Sequence, residues 1–188
     1  MHISDAQREV RTVFLGGFAG QLVSGLLWLL SAILATWGSP KSAIIALVAG
    51  GFFIFPMTQL LLRLMGRPAS LPKGHPMNAL GMQVAFTLPF NLPLVAAATA
   101  HQLNWFYPAL MIALGTHYLP FIFMYGMPEF GVLGGLLIGA GATIGLYLQS
   151  VFSLGAWLTA VVLLLFAFIG RSTALRESRQ AQLIGHQG

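Results

Sequence analysis

An all-α, polytopic integral membrane protein with six transmembrane helices and both termini in the cytoplasm is the fold class the sequence predicts, on three observations. First, the 188 residues are 57% hydrophobic and only 7% charged, against roughly a quarter charged in an average soluble domain. A 20.2 kDa soluble fold with a mean hydropathy of +0.82 cannot hide that apolar surface behind 9 Lys and Arg and 4 Asp and Glu. Second, six stretches are apolar over the ~20 residues needed to cross about 30 Å of hydrocarbon. Third, with the termini inside, Arg8, Arg11, Arg63, Arg67, Lys73, Arg171, Arg176 and Arg179 are cytoplasmic and only Lys41 is outside, a strong positive-inside bias.

The expected spans are 12–37, 41–64, 77–100, 104–125, 129–149 and 152–169, forming a single bundle over 1–188. The first is too long, and its flank too acidic with Asp5 and Glu9, for a cleavable signal. Ser4-Asp5-Ala6-Gln7 reads as a capping box for its cytoplasmic start. The second span contains Pro56, the third Pro89 and Pro93, and the fourth Pro120; each removes an amide hydrogen bond. Leu88-Pro89-Phe90-Asn91-Leu92-Pro93 makes the third helix the most disturbed: a simple kink fitted against its neighbours is the leading reading, and a discontinuous helix of the kind that forms midplane sites in transporters is the alternative. Glu129 opens the fifth helix, where a carboxylate complements the helix dipole. After the sixth, the charged and polar segment from Arg171 reads as a helical extension that frays.

Small residues spaced by four form flat faces on which helices in lipid approach closely. Gly16 and Gly20 in the first span and Gly131, Gly135 and Gly139 in the fifth make two such stripes, expected to meet as parallel neighbours or to serve a homo-oligomer or another membrane partner. The polar residues Gln21, Ser24, Gln83, Asn91, His117 and Thr143 all fall within about 6 Å of the bilayer centre by helix rise. A buried amide without a partner is costly in hydrocarbon, so these groups are expected to face one another or a wet cavity. His117 is the ionisable group among them, which makes it a functional candidate, with interhelical glue, a neutral ring satisfied by Asn91 or a freed carbonyl, as the equal alternative.

With no Cys in the chain, disulfides, thiolate metal sites and Cys nucleophiles are excluded. No paired carboxylates, acidic metal cluster or phosphate-cradling loop stands out, so no metal, no cofactor and no catalytic residue is expected. The formal charge of +5 does not point to nucleic acid, because no basic run carries interleaved aromatics.

The segment Asp5-Ala6-Gln7-Arg8-Glu9, then Leu15-Gly16-Gly17 and Gly20-Gln21-Leu22-Val23-Ser24-Gly25 to Trp28, resembles the opening of an uncharacterised bacterial family of small multi-pass membrane proteins, a domain of unknown function. The resemblance implies this architecture and a bacterial inner membrane, and it implies no activity. The leading functional expectation is a permease or channel-like protein for a small neutral or weakly charged solute or an ion, with Asn91, His117 and Gln21 around a midplane cavity. The alternatives are a non-transporting assembly factor or partner subunit, and a lipid-directed enzyme with a wet cytoplasmic pocket near Glu129 and Arg63.

Overall fold

The computed structural model of the chain describes residues 2–148 and 150–185. The last residue of the expected fifth span, Gln149, lies outside the described residues, as do 186–188 of the expected tail. The chain is helical with short connections, and the helices are α1 (Ile3–Phe14), α2 (Phe18–Trp37), α3 (Pro40–Gly51), α4 (Ile54–Leu64), α5 (Met77–His101), α6 (Phe106–Tyr125), α7 (Glu129–Tyr147) and α8 (Leu154–Gly185). No strand occurs among the described residues. The expected all-α polytopic architecture is therefore present. Five stretches are long and apolar enough to cross a membrane, and the bent pair α3–α4 makes a sixth.

The first span is not one helix. Leu15, Gly16 and Gly17 adopt φ of 50°, 63° and 83°, a left-handed run that is cheap only for glycine, and it separates α1 from α2. Gly16 therefore lies in a break and not on a helical stripe. Freed from the span, α1 is amphipathic: Ala6, Val10 and Val13, spaced by four and three, are buried while Asp5 and Arg8 are exposed. The capping box does not form, because the helix begins at Ile3 with no side-chain cap. Gln7 instead donates from Nε2 to the Phe123 carbonyl at 2.6 Å.

The second span is bent by 60° between α3 and α4. Ser39 and Ser42 form a reciprocal capping box at the start of α3, with Pro40 in the first turn. Pro56 sits in the first turn of α4, where a missing N–H has no partner to lose. It follows the bend and does not break a helix interior. The segment after α4 is tied to α1 through His75, whose Nε2 lies 3.3 Å from Glu9 Oε2 and whose Nδ1 accepts the Met77 N–H at 3.2 Å.

Of the two readings of the third span, the discontinuous helix is absent. Helix α5 runs unbroken through Pro89 and Pro93, and α6 through Pro120. Within α5 Thr87 Oγ1 donates to the Val84 carbonyl at 2.7 Å and Asn91 Nδ2 to the Thr87 carbonyl at 2.7 Å.

Helix α7 lies along α6, α8 along α2, α3 against α2 and α5 against α6. The two expected glycine stripes do not meet. In α7 the face against α6 carries Gly134, Gly141 and Gly145: an added Cβ would lie 2.8 Å from the Gly115 carbonyl oxygen, 2.8 Å from that of Pro108 and 2.7 Å from the Trp105 ring, respectively. Gly135 and Gly139 have open space around them, and Gly131 touches only the flexible end of Ile122. Gly20 meets Thr58 of α4 at an ordinary 3.9 Å, and the close approach between α2 and α8 is made at Gly25, whose Cβ would lie 2.9 Å from Leu164. At the break before α2, a Cβ on Gly16 would collide with the Gly170 backbone. The core centres on Trp28, Tyr107, Met111, Leu133, Leu137 and Leu163, all nearly inaccessible.

Candidate functional site

An open space lies at the end of the bundle that carries most of the basic residues. It measures about 380 Å³ and is lined by Arg11 from α1, Gly126, Met127 and Pro128 from the α6–α7 connection, Glu129, and Thr173, Arg176, Glu177 and Gln180 from the extension of α8. Helix α8 positions four of these because it continues past the membrane-spanning stretch, as the sequence predicts.

Arg11 organises the wall. Its guanidinium donates from Nε to Glu177 Oε2 and from Nη2 to Glu177 Oε1, both at 2.6 Å, a two-pronged geometry that adds direction to charge. Its Nη1 donates to the Tyr125 carbonyl. Together with Gln7 on the Phe123 carbonyl, this caps the C-terminus of α6 with a cation and an amide where orphan carbonyls need donors. The hydrogen bonds from Arg11 hold the Glu177 carboxyl below its usual range.

Beside the cavity is a narrow cleft, too tight for a water-sized sphere, lined by Gly16, Gln21, Met127, Glu129, Phe130, Phe166 and Gly170. Glu129 and Met127 line both spaces. Glu129 Oε1 accepts from Thr173 Oγ1 at 3.3 Å. Its other oxygen, Oε2, is buried without a partner, and so is Gln21 Oε1.

Above the cleft, α2 presents one face of polar groups: Gln21, Ser24 and Ser31 stand at positions i, i+3 and i+10, with Trp28 at i+7, and all four are buried. The stripe rises about 15 Å at 1.5 Å per residue. Across from it on α8, Thr159 is fully buried with an unpartnered hydroxyl. At the top Ser31 Oγ donates to the Ala43 carbonyl at 3.0 Å. Its single proton is thereby committed, so the 2.7 Å contact with Tyr107 has the phenol as donor. Tyr107 and Trp28 pack with ring centroids 5.9 Å apart.

The six residues expected to form one polar layer separate into three groups. Gln21 and Ser24 belong to the α2 stripe, and Gln21 shares a cleft with Glu129 at the start of α7. Asn91 and His117 belong to the α5–α6 seam. There the Thr87 hydroxyl gives its proton to Val84, so at 2.8 Å His117 Nδ1 is the donor to Thr87 Oγ1. Gln83 and Thr143 face outward; Thr143 Oγ1 donates to the Gly139 carbonyl of its own helix at 2.8 Å. No cavity joins Asn91, His117 and Gln21 among the lining residues of the two spaces, and no group of three or more metal-binding side chains occurs among the described residues. Sequence reading missed Arg11, Glu177 and Thr173 as a group, and it missed Ser31, although Ser31 falls on the same α2 stripe as Gln21 and Ser24.

Comparison with curated proteins and with solved structures finds no match. A family model does match, over residues 3–172, and it covers every helix described above apart from the end of α8. The chain belongs to the family of unknown function DUF7010.

Proposed function

We propose that this multi-pass protein acts in a bacterial inner membrane as a permease or channel-like protein for a small neutral or weakly charged solute, with the cytoplasmic cavity as its inner vestibule. The observation that carries this reading is the continuity of polar groups from that cavity into the bundle: Glu129 and Thr173 at the floor, Gln21 and Ser24 above, Ser31 and Tyr107 at the far end. Buried polar groups in a bundle this short of charge are expensive, and a volume of about 380 Å³ is of the size that binds small molecules. The route runs along α2 and α8 and leaves the His117–Thr87 seam as interhelical glue.

The chain contains no Cys, so single substitutions can be labelled without background. Cys at Thr173, Gln21, Ser24 and Ser31 would be treated with a membrane-impermeant thiol reagent from the cytoplasmic side of inverted vesicles, alongside solute flux into proteoliposomes. A reactivity front that passes Gln21 and reaches Ser24, together with saturable flux, supports the permease. Labelling that stops at Thr173, with no flux above empty liposomes, removes it.

A second reading has its own observation. Gly135 and Gly139 lie on a smooth, unfilled face of α7, which suits a docked helix of a second copy or of a partner subunit. Crosslinking from Cys at Gly139 in native membranes tests it, and recovery of monomer alone counts against it.

A further inference from the structure

We infer that α5 is the contact helix of a homodimer, in which its lipid-facing side around Gln83 meets the same side of a second copy across a two-fold axis along the membrane normal. Coverage and composition disagree on this helix. Only 11% of the α5 span is buried, against 39–50% for the other four long spans, yet it is less apolar than the stretches that hold α2, α7 and α8. Gln83 is exposed on its outer side, and nothing among the described residues pairs with its amide. By helix rise it stands about 9 Å from the middle of α5, inside the roughly 15 Å half-thickness of the hydrocarbon. An amide turned towards lipid at that depth has no water to bond and is costly to leave unpaired.

The backbone on this side is short of donors as well. Pro89 and Pro93 carry no N–H, so the carbonyls of Ala85 and Pro89 lose the donors four residues on. Both residues are exposed, and the side-chain bonds of α5 go to the Val84, Thr87 and Val95 carbonyls instead. A second copy of the chain suits such a face. Copies of one chain insert with one topology, so identical residues lie at equal depth, and a two-fold axis along the membrane normal brings Gln83 beside Gln83. A primary amide donates and accepts at once, so each is a complete partner for the other. No charged side chain lies on α5 between Met77 and Ala100, so no like charges oppose the symmetric pairing. Around the amide, Met82, Phe86, Phe90 and Leu94 are 49–76% exposed and supply the apolar contact. Phe86 and Phe90 already stack on each other, with ring centroids 5.8 Å apart, and present a formed ridge.

The dimer goes beyond the permease reading, stands or falls separately from it, and uses a face other than that of Gly135 and Gly139. The test is disulfide crosslinking of the full chain in native membranes, from Phe86→Cys, Phe90→Cys and Leu94→Cys singly. Met57→Cys, exposed on α4, is the control, and Gly139→Cys reports the rival face. Oxidation with copper phenanthroline is expected to give a covalent dimer of this chain from at least one α5 position and none from Met57→Cys. Gln83→Met, which keeps the volume and removes the amide, is then compared with the wild type by analytical ultracentrifugation in detergent. Its dimer dissociation constant should rise roughly tenfold, the size of one or two interhelical hydrogen bonds in lipid. Gln83 makes no hydrogen bond within the monomer, so the unfolding midpoint of the diluted monomer should not move, which separates loss of the dimer from loss of the fold. Monomer alone from all three α5 positions overturns the proposal, as does an adduct with a different protein only. A dimer formed as readily from Met57→Cys or Gly139→Cys overturns it too, and so does one that Gln83→Met leaves as tight as before.

Discussion

Arg11 carries three hydrogen bonds that join the first, sixth and last helices, and its replacement by alanine is the sharpest test of how the cytoplasmic end is held. Two of the bonds are charge-assisted, at 2.6 Å to the two oxygens of Glu177; the third reaches the Tyr125 carbonyl at the end of α6. The Arg11 side chain is 13% exposed and Glu177 36%, so the pair lies between a solvated ion pair, worth about 0–1 kcal/mol, and a buried one, whose disruption costs about 3–5 kcal/mol. Screening at Glu177 puts the coupling at about 1–2 kcal/mol. Loss of the bond to Tyr125 adds about 1 kcal/mol, so Arg11→Ala is expected to cost about 2–3 kcal/mol and Glu177→Ala about 1–2 kcal/mol. Arg11→Lys keeps the charge and loses the fork, and it is expected to recover less than half. The assay is a double-mutant cycle on the full chain in detergent, with unfolding followed by far-UV circular dichroism. A coupling energy below about 0.3 kcal/mol, the scatter expected of independent sites, would refute the bridge as a structural tie.

The same bridge gives unfolding a pH dependence. The folded Glu177 carboxyl lies below its ordinary range, near pH 4.3 for a free side chain, so its stabilisation is complete above that value and is lost as pH falls through the lower folded value. The midpoint difference between wild type and Glu177→Gln should therefore shrink to nothing in acid; a difference that is constant with pH contradicts the linkage. Gly134→Leu drives a side chain into the Gly115 carbonyl and Leu119 and is expected to cost about 1–3 kcal/mol, whereas Gly135→Leu points into open space and should change monomer stability by less than about 0.5 kcal/mol. Equal costs for the two, measured by unfolding midpoint, would mean that the packed face of α7 is misassigned. Tyr107→Phe removes the donor to Ser31 and should destabilise by about 1 kcal/mol; an unchanged midpoint would show that the hydroxyl pair carries no net energy.

Much of the architecture is legible in the chain because hydrophobic length and charge asymmetry are one-dimensional properties. Five stretches are long and apolar enough to cross a membrane and the bent pair α3–α4 makes a sixth, and the last helix continues through its charged segment. What eludes sequence reading depends on which face of a helix is used. Helix α7 has glycines on two faces, so spacing alone does not distinguish 131, 135 and 139 from 134, 141 and 145; the neighbours Gly115, Pro108 and Trp105 decide it. Gly16-Gly17 reads as a packing surface and serves as a break, because left-handed backbone has no hydrophobic signature. Pro89 and Pro93 disturb the hydrogen bonding of α5, yet the helix runs through both, because loss of two N–H donors in a 25-residue helix does not by itself dictate a break. Arg11 and Glu177 are 166 residues apart in the chain, and each looks like an ordinary solvated charge until the ends of the bundle meet.

The pairing of α2 with α8 has a consequence for how the protein is made. Helix α2 ends at Trp37 and α8 begins at Leu154, so at 5–20 residues per second of synthesis roughly ten seconds separate their emergence from the ribosome. During that interval Gln21 and Ser24 wait in the bilayer without the helix that covers them, and of the stripe only Ser31 already has a partner, the Ala43 carbonyl of the adjacent α3. The bundle is therefore sealed by its last helix and does not close progressively from its first. A nascent chain arrested before Leu154 leaves the amide of Gln21 and the hydroxyl of Ser24 without the helix that packs along α2.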